Sequence, residues 1–146
     1  MAGEAFKNGT DVILFAKIGT TPAWVPLACL KTNSWDGSTA SIDTTTKCSG
    51  KEDTSMAGSK SSSFKGDGNA INETGTPTQA SFKTLSGLWQ LGTTFPMKMV
   101  GVNDATDIVR GDVWISALSK GADHNTAVTF SATFQVTGGV LFTVEA

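Results

Sequence analysis

Residues 128–137 read Val128-Thr129-Phe130-Ser131-Ala132-Thr133-Phe134-Gln135-Val136-Thr137. Every even position is apolar, and every odd one is polar and uncharged. A period of two is the mark of a strand with one face on a core and the other in water. A helix, with its period near 3.6, would scatter the same residues around its circumference.

Working outward, Asp112–Ser119 reads as a second strand. Val113, Ile115 and Ala117 are expected on one side, and Trp114, Ser116 and Leu118 on the other. Between the two, Gly121–Thr126 (GADHNT) predicts a hairpin loop. Gly138-Gly139 is expected to break the strand, leaving Val140–Val144 as a short last one. Upstream, Phe95–Val102 alternates through Phe95, Met97 and Met99, and Asn103–Arg110 reads as a polar connection. Asp11–Ile18 (DVILFAKI) is apolar on both faces, so both should be covered. Trp24–Lys31 is a further strand, and Pro26 argues for a sheet edge.

One helix is expected over 76–91. Thr76-Pro77-Thr78-Gln79 is a capping box with proline at the first helical position. Phe82, Leu85, Leu88 and Trp89 recur at spacings that place them on one face. Gly92 ends the helix, and Gly87 weakens it slightly. With no repeat or linker, the 146 residues are expected to form one domain. The inferred fold is mainly β: two packed antiparallel sheets, a β-sandwich or partly closed barrel, with one flanking α-helix.

The stretch Asp36–Gly68 departs from this pattern. It is rich in Ser, Thr, Gly and mixed charges, and its large apolar side chains are Ile42, Met56 and Phe64. Asp36-Gly37 and Asp67-Gly68 are turn signals. Ser38–Thr46 and Ser61–Lys65 read as the two arms of an extended β-hairpin around a charged loop. A domain complete by itself gains little from so long a polar excursion. The alternatives are a floppy surface loop and an arm whose partner is another copy of the chain.

The net charge of −2 excludes a basic nucleic-acid footprint. The longest apolar run, Val12–Ala16, is too short to cross a bilayer, so no membrane partner is expected. MAGEAFKNG lacks the pattern of a signal peptide, which points to folding in the cytosol. Cys29 and Cys48 have no metal-site spacing and read as free thiols. The lone histidine, His124, stands beside Asp123. The pair reads as a solvated turn more readily than as an acid/base couple. Gly58-Ser59-Lys60-Ser61 has the wrong order for a phosphate loop. Glu52-Asp53 and Asp104 with Asp107 are isolated pairs rather than a metal cluster. No enzyme activity, cofactor or metal is expected. Four tryptophans leave open a carbohydrate-binding sandwich, although core or interface packing explains them more simply.

The order of these features resembles the major tail proteins, the tail tube subunits of long-tailed bacteriophages. The likeness runs through Gly9–Phe15, Ser41–Lys47, Ser62–Gly68, the helix Phe82–Leu91, Gly111–Ser119 and Val128–Gly138. The usual aromatic near the tip of the charged loop is missing, and Met56 sits roughly there.

The resemblance implies a β-sandwich with a flanking helix whose hexameric rings stack into a hollow tube, the conduit for DNA during ejection. Its location would be the virion tail, after assembly in the bacterial host cytoplasm. Expected partners are the chain itself, a tape-measure protein, tail terminator or completion proteins, and double-stranded DNA passing without specific binding. Lys47, Lys51, Glu52, Asp53, Met56 and Lys60 are expected contacts to neighbouring rings or subunits, on a loop mobile in the free subunit and ordered in the tube. Thr129, Ser131, Thr133 and Gln135 are the expected lumenal face. The inner tube of a contractile injection device or tailocin is the near alternative, and a carbohydrate-binding module the distant one.

Overall fold

The structure, a computed structural model, describes residues 12–17, 24–27, 30–71, 80, 82–101 and 108–142. Its strands are β1 (Val12–Lys17), β2 (Trp24–Pro26), β3 (Leu30–Asp43), β4 (Ser55–Asn69), β5 (Phe95–Gly101), β6 (Ile108–Gly121) and β7 (Thr129–Leu141), with helix α1 (Phe82–Leu91) between β4 and β5. The class is as the sequence indicates: mainly β, antiparallel, one helix and a long hairpin.

The layering differs from the expectation. All seven strands form one sheet in the order β2-β1-β5-β6-β7-β4-β3. At about 4.8 Å per step, β1 and β3 would stand roughly 24 Å apart in a flat sheet. Yet Asn33 Nδ2 donates to the Val12 carbonyl at 3.0 Å. A Cβ added to Gly66 on β4 would lie 3.3 Å from Leu14 Cδ1 on β1. The sheet therefore folds over on itself, and its two halves face each other across one core. It is bridged by the Asn33 side chain and is not closed by a backbone ladder.

The core follows from the alternation in β7. Phe130, Ala132, Phe134 and Val136 are buried, and they join Leu14, Ala16, Phe64, Leu85, Phe95, Met97, Val113 and Ile115. Phe95 and Phe134 meet edge to face, with centroids 6.1 Å apart, an arrangement favoured by their quadrupoles. Both faces of β5 and β6 are lined near their far ends: Met99 and Val109 lie against the core, while Val100 and Ile108 are buried on the other side.

Two irregularities in β6 and β7 redirect side chains. Ile115 pairs with Phe134 and Ala117 with Thr133, so Ser116 is an extra residue. This bulge reverses the later alternation. Leu118, expected beside Trp114, packs against the core, and Ala117 turns outward. At the other end, Gly138 (φ +81°) absorbs a second register slip. The strand passes through Gly138-Gly139 to Leu141 rather than breaking there; residues 143–146 lie outside the described set.

Helix α1 packs on the core face of β6, with Leu85 buried and Phe82 and Leu88 alongside. The Gly92 amide bonds to the Leu88 and Trp89 carbonyls at φ +65°, as expected of a C-terminal glycine. The capping box at 76–79 lies outside the described residues. Trp89 departs from the expected core stripe, being 54 % exposed. Helical spacing decides which side chains share a face, but not how far the sheet extends beneath them.

Candidate assembly surfaces: the arm and the open edges

The hairpin is longer and more regular than its sequence signals indicate. Asp36-Gly37 lies inside β3 and Asp67-Gly68 inside β4, both fully paired. A turn residue is compatible with a strand when its partner strand is already in place, and at Gly37 the missing side chain also serves packing. A Cβ on Gly37 would stand 2.7 Å from Trp35 Cη2. Gly68 is buried within the sheet.

β7 covers β4 only over Ser63–Asn69. Beyond that, 36–43 and 55–62 continue as a two-stranded ribbon, about 26 Å long at the usual rise per residue. Nearly every residue of the ribbon is exposed. Its stabilising contacts are local: Ser38 and Ser61 share a hydroxyl hydrogen bond of 2.9 Å, and the Lys65 ammonium lies 3.8 Å from Asp36. Such an exposed ion pair is worth at most about 1 kcal/mol. A lone ribbon of this kind is marginal in water. Trp35 anchors its base, meeting Phe142 edge to face at 5.6 Å.

The expected loop residues divide between two settings. Lys47, Lys51, Glu52 and Asp53 occupy the connection 44–54, which includes a 3-10 turn at Lys47–Ser49, and all four are exposed. Met56 and Lys60 are not in the loop but in β4, opposite Ile42 and Thr39. Ile42 and Met56 make a cross-strand apolar pair, 47 % and 56 % exposed. A slip in register between Thr39 and Ser41 puts Gly58 against Ile42. Sequence reasoning noticed Ile42 without ranking it as a contact; its pairing with Met56 is the signal that the strand register supplies.

The loop is held by threonines. Thr44 and Thr54 share a hydroxyl bond of 2.9 Å, and the Thr54 amide donates to Thr45 Oγ1 at 2.9 Å. The Thr45 amide donates to Asp43 Oδ1 at 2.9 Å. That bond and the Thr45 hydroxyl hold the Asp43 carboxyl below its usual range. Cys48 carries a free, exposed thiol; Cys29 lies outside the described residues.

Thr129, Ser131, Thr133 and Gln135 lie on one face of β7, opposite the core. Thr129 and Ser131 are exposed, and Thr133 and Gln135 half-buried. The Gln135 amide donates to the Ser62 carbonyl at 3.1 Å. The face runs across neighbouring strands by register: Ser119–Ser131–Asp67–Thr32, Ala117–Thr133–Lys65–Ser34 and Trp114–Gln135–Ser63–Asp36. One lysine and two aspartates thus stand among hydroxyl and amide groups.

Among the described residues β2 ends the sheet on one side, and two further strand edges bear on assembly. β3 has β4 on one side and no strand on the other. β5 covers β6 only over Ile108–Val113, so Trp114–Gly121 pairs with β7 alone. An open edge invites another strand. Sequence reasoning missed the second edge, which depends on where β5 stops rather than on any motif.

Cation–π contacts mark the other half of the sheet. Lys98 Nζ lies 5.4 Å from the Phe15 centroid and 4.5 Å from that of Trp24. Asp123 and His124 stand in the exposed β6–β7 loop, where the Asp123 carbonyl accepts the Thr126 hydroxyl bond. Among the described residues no three His, Cys, Asp or Glu side chains cluster as a metal site. No helix among them is long and apolar enough to cross a membrane. Asp104 and Asp107 lie outside the described set.

A coreless arm, a polar sheet face and open strand edges define the class: a structural subunit. Its sequence agrees, matching the family model for phage tail tube proteins over residues 6–142. The chain belongs to the phage tail tube protein family. No curated protein sequence matches it. Its fold is similar to a chain in the tail of an empty gene transfer agent particle refined with C6 symmetry (TM-score 0.80, 18 % identity, covering 95 % of this chain and 100 % of that one). It is similar to the SPP1 tail tube (TM-score 0.73, 19 % identity, 94 % and 79 % covered). It is also similar to a chain of the anti-feeding prophage baseplate (TM-score 0.63, 10 % identity, 97 % of each covered).

Proposed function

We propose that this tail tube protein forms hexameric rings that stack into a hollow tube, the conduit for DNA during ejection. The observation that carries the reading is the four-strand unit β6-β7-β4-β3 with both edges open. Its strands alternate in direction, so β3 of one copy meets β6 of the next antiparallel. The ring then continues without a change of ladder type. A heterologous contact of this kind closes when its rotation closes. Six is the symmetry of the gene transfer agent tail. Four strands from each of six copies make a barrel of about two dozen, whose backbone diameter is roughly 45–50 Å at usual spacing and tilt. That bore admits a DNA duplex with water around it.

The lumenal face in this reading is Thr129, Ser131, Thr133 and Gln135, with their neighbours on β4 and β6. A surface of hydroxyls and amides with little positive charge releases few counterions from DNA and holds it weakly. The arm reaches the adjacent ring, where Lys47, Lys51, Glu52, Asp53 and Lys60 make mixed-sign contacts that fix register. The loop gains order on assembly. The whole chain acts as one domain, with no catalytic role. Its further partners are a tape-measure protein and tail terminator or completion proteins. It works in the virion tail after assembly in the host cytoplasm. The fold likeness to the anti-feeding prophage chain supports a second reading, the inner tube of a contractile device; a sheath protein encoded beside this one decides for it.

Negative-stain microscopy of concentrated protein tests the proposal, with rings or hollow tubes expected. A protein that stays monomeric and binds glycans overturns it. Deleting Gly50–Gly58 is expected to leave a folded subunit that no longer polymerises, and normal tubes from that deletion remove the arm's role.

A further inference from the structure

We infer that the half of the sheet formed by β2, β1, β5 and the start of β6 carries, on its coreless face, a binding site for acidic sugar residues. Lys17, Trp24, Lys98 and Arg110 are its centre. The site's chemistry stands on the fold alone, and its place on the outside of the tube rests on the reading above.

Strand register assembles the site. Leu14 and Ala16 of β1 and Met97 and Met99 of β5 lie against the core, so Lys17 and Lys98 stand on the other face. Lys17 pairs with Trp24 on β2, and Lys98 with Arg110 on β6. Three cations thus share one face of a chain whose net charge is −2. Trp24 gathers two of them. Lys17 Nζ lies 4.9 Å from its ring centroid and Lys98 Nζ 4.5 Å. The ring attracts each ammonium, while the two ammoniums repel each other. An anion shared between them turns that repulsion into attraction.

A pocket of about 230 Å³ opens at this point, lined by Lys17, Trp24, Arg110, Asp112, Pro96 and Leu141. Its rim is accessible. Pro96, Asp112 and Leu141 are exposed, whereas Val100 and Ile108, further along the same face, are buried.

The lining selects among anions. Lys17, Lys98 and Arg110 suit a carboxylate or a phosphate group. Cations already engaged within the chain still bind one, because an ammonium has three donors and a guanidinium five. Asp112 acts in the other direction. Its carboxylate repels an acidic peptide but accepts hydrogen bonds from hydroxyls. Pro96 and Leu141 offer apolar surface to the C–H face of a ring, as small-ligand sites commonly do. A negative group, several hydroxyls and an apolar ring face occur together in an acidic sugar such as a uronic acid, and the pocket has room for one such ring.

The facing of the sheet decides what the pocket meets. Because the sheet folds over its core, the polar face of β7 and the face carrying Lys17 and Lys98 look in opposite directions. With β7 toward the lumen, the pocket looks outward. Every copy in the tube presents it, so a polymer engages many weak sites at once and gains from their effective concentration. The partner is therefore an acidic polysaccharide.

The test adds trigalacturonate to the isotopically labelled subunit, with neutral galactotriose and triglutamate as comparisons. Gly111 and Gly139 also line the pocket. Trigalacturonate is expected to shift their amide signals and the Trp24 indole N–H at about millimolar concentration, and galactotriose to leave them in place. Lys98→Gln, on the coreless face, is expected to keep the native circular dichroism and to weaken binding at least fivefold. Asp112→Ala, at the exposed rim, is expected to weaken trigalacturonate and strengthen triglutamate. Absence of shifts, or equal binding of triglutamate and trigalacturonate by the wild-type chain, overturns the inference. Tubes are then sedimented with polygalacturonate, and co-sedimentation is expected. Binding by subunits but not by tubes overturns the outward placing. A chain that forms no tubes removes the tube reading, and the subunit titration still decides the site.

Discussion

The Trp35 ring covers Gly37, two residues along the same strand, so closely that a Cβ on the glycine would lie 2.7 Å from Trp35 Cη2. The base of the arm is built on this contact, with Phe142 meeting the same indole edge to face. Gly37→Ala is therefore expected to displace the ring and destabilise the chain by about 1–3 kcal/mol, the usual cost of overpacking. Urea unfolding followed by tryptophan fluorescence measures it, and an unchanged midpoint would show that the indole has room to move.

Gly87 gives the opposite sign. It lies inside α1, and a Cβ there meets nothing within 4 Å. Gly87→Ala is expected to stabilise the protein by about 0.5–1 kcal/mol, through helix propensity and a less flexible unfolded chain. A raised denaturation midpoint at unchanged slope is the signature.

Phe64 and Ile42 separate the body from the arm. Phe64 is fully buried on β4 under the folded sheet, and Phe64→Ala should cost about 3–5 kcal/mol. Ile42→Ala removes an exposed side chain from a ribbon without a core, and should cost less than about 1 kcal/mol in the free subunit. Equal losses from the two variants would contradict the separation of arm and core.

Asp43 makes the loop sensitive to acid. Its folded carboxyl is held below the ordinary value by the Thr45 amide and hydroxyl. A depressed folded value means the contribution is present above the unfolded pKa, near 3.9, and is lost as pH falls through the folded one. The Thr45 amide shift, followed by NMR, should titrate at a lower pH than the carboxyl of an unstructured aspartate. In Asp43→Asn that step should vanish while the rest of the spectrum is unaltered.

How far the sequence discloses this molecule depends on the range of the interaction involved. The alternation of Val128–Thr137 fixes the core face of β7 directly, because burial on one side of a pleated strand needs no knowledge of its neighbours. Pro26 likewise marks β2 as an edge. Leu118 and Trp89 depart from the faces that their spacing predicts for non-local reasons: an extra residue at Ser116, and the extent of the sheet under α1. Asp36-Gly37 misleads in the same manner. Its local preference is for a turn, and pairing with Ser63 and Ser62 overrides it. The candidate loop was legible as a charged, polar excursion, but the apolar pair became visible only with the register that sets Ile42 opposite Met56.

The length of β4 has a mechanical consequence. One continuous strand runs from the exposed arm at Ser55, past Phe64, to Asn69 beneath the folded sheet. Tension applied to the arm along its axis bears on the β4–β7 ladder lengthwise, so its rungs share the load at once instead of parting one after another. The element that reaches outward is therefore also the one least easily peeled from the body, and strain on a long assembly passes directly into its hydrophobic centre.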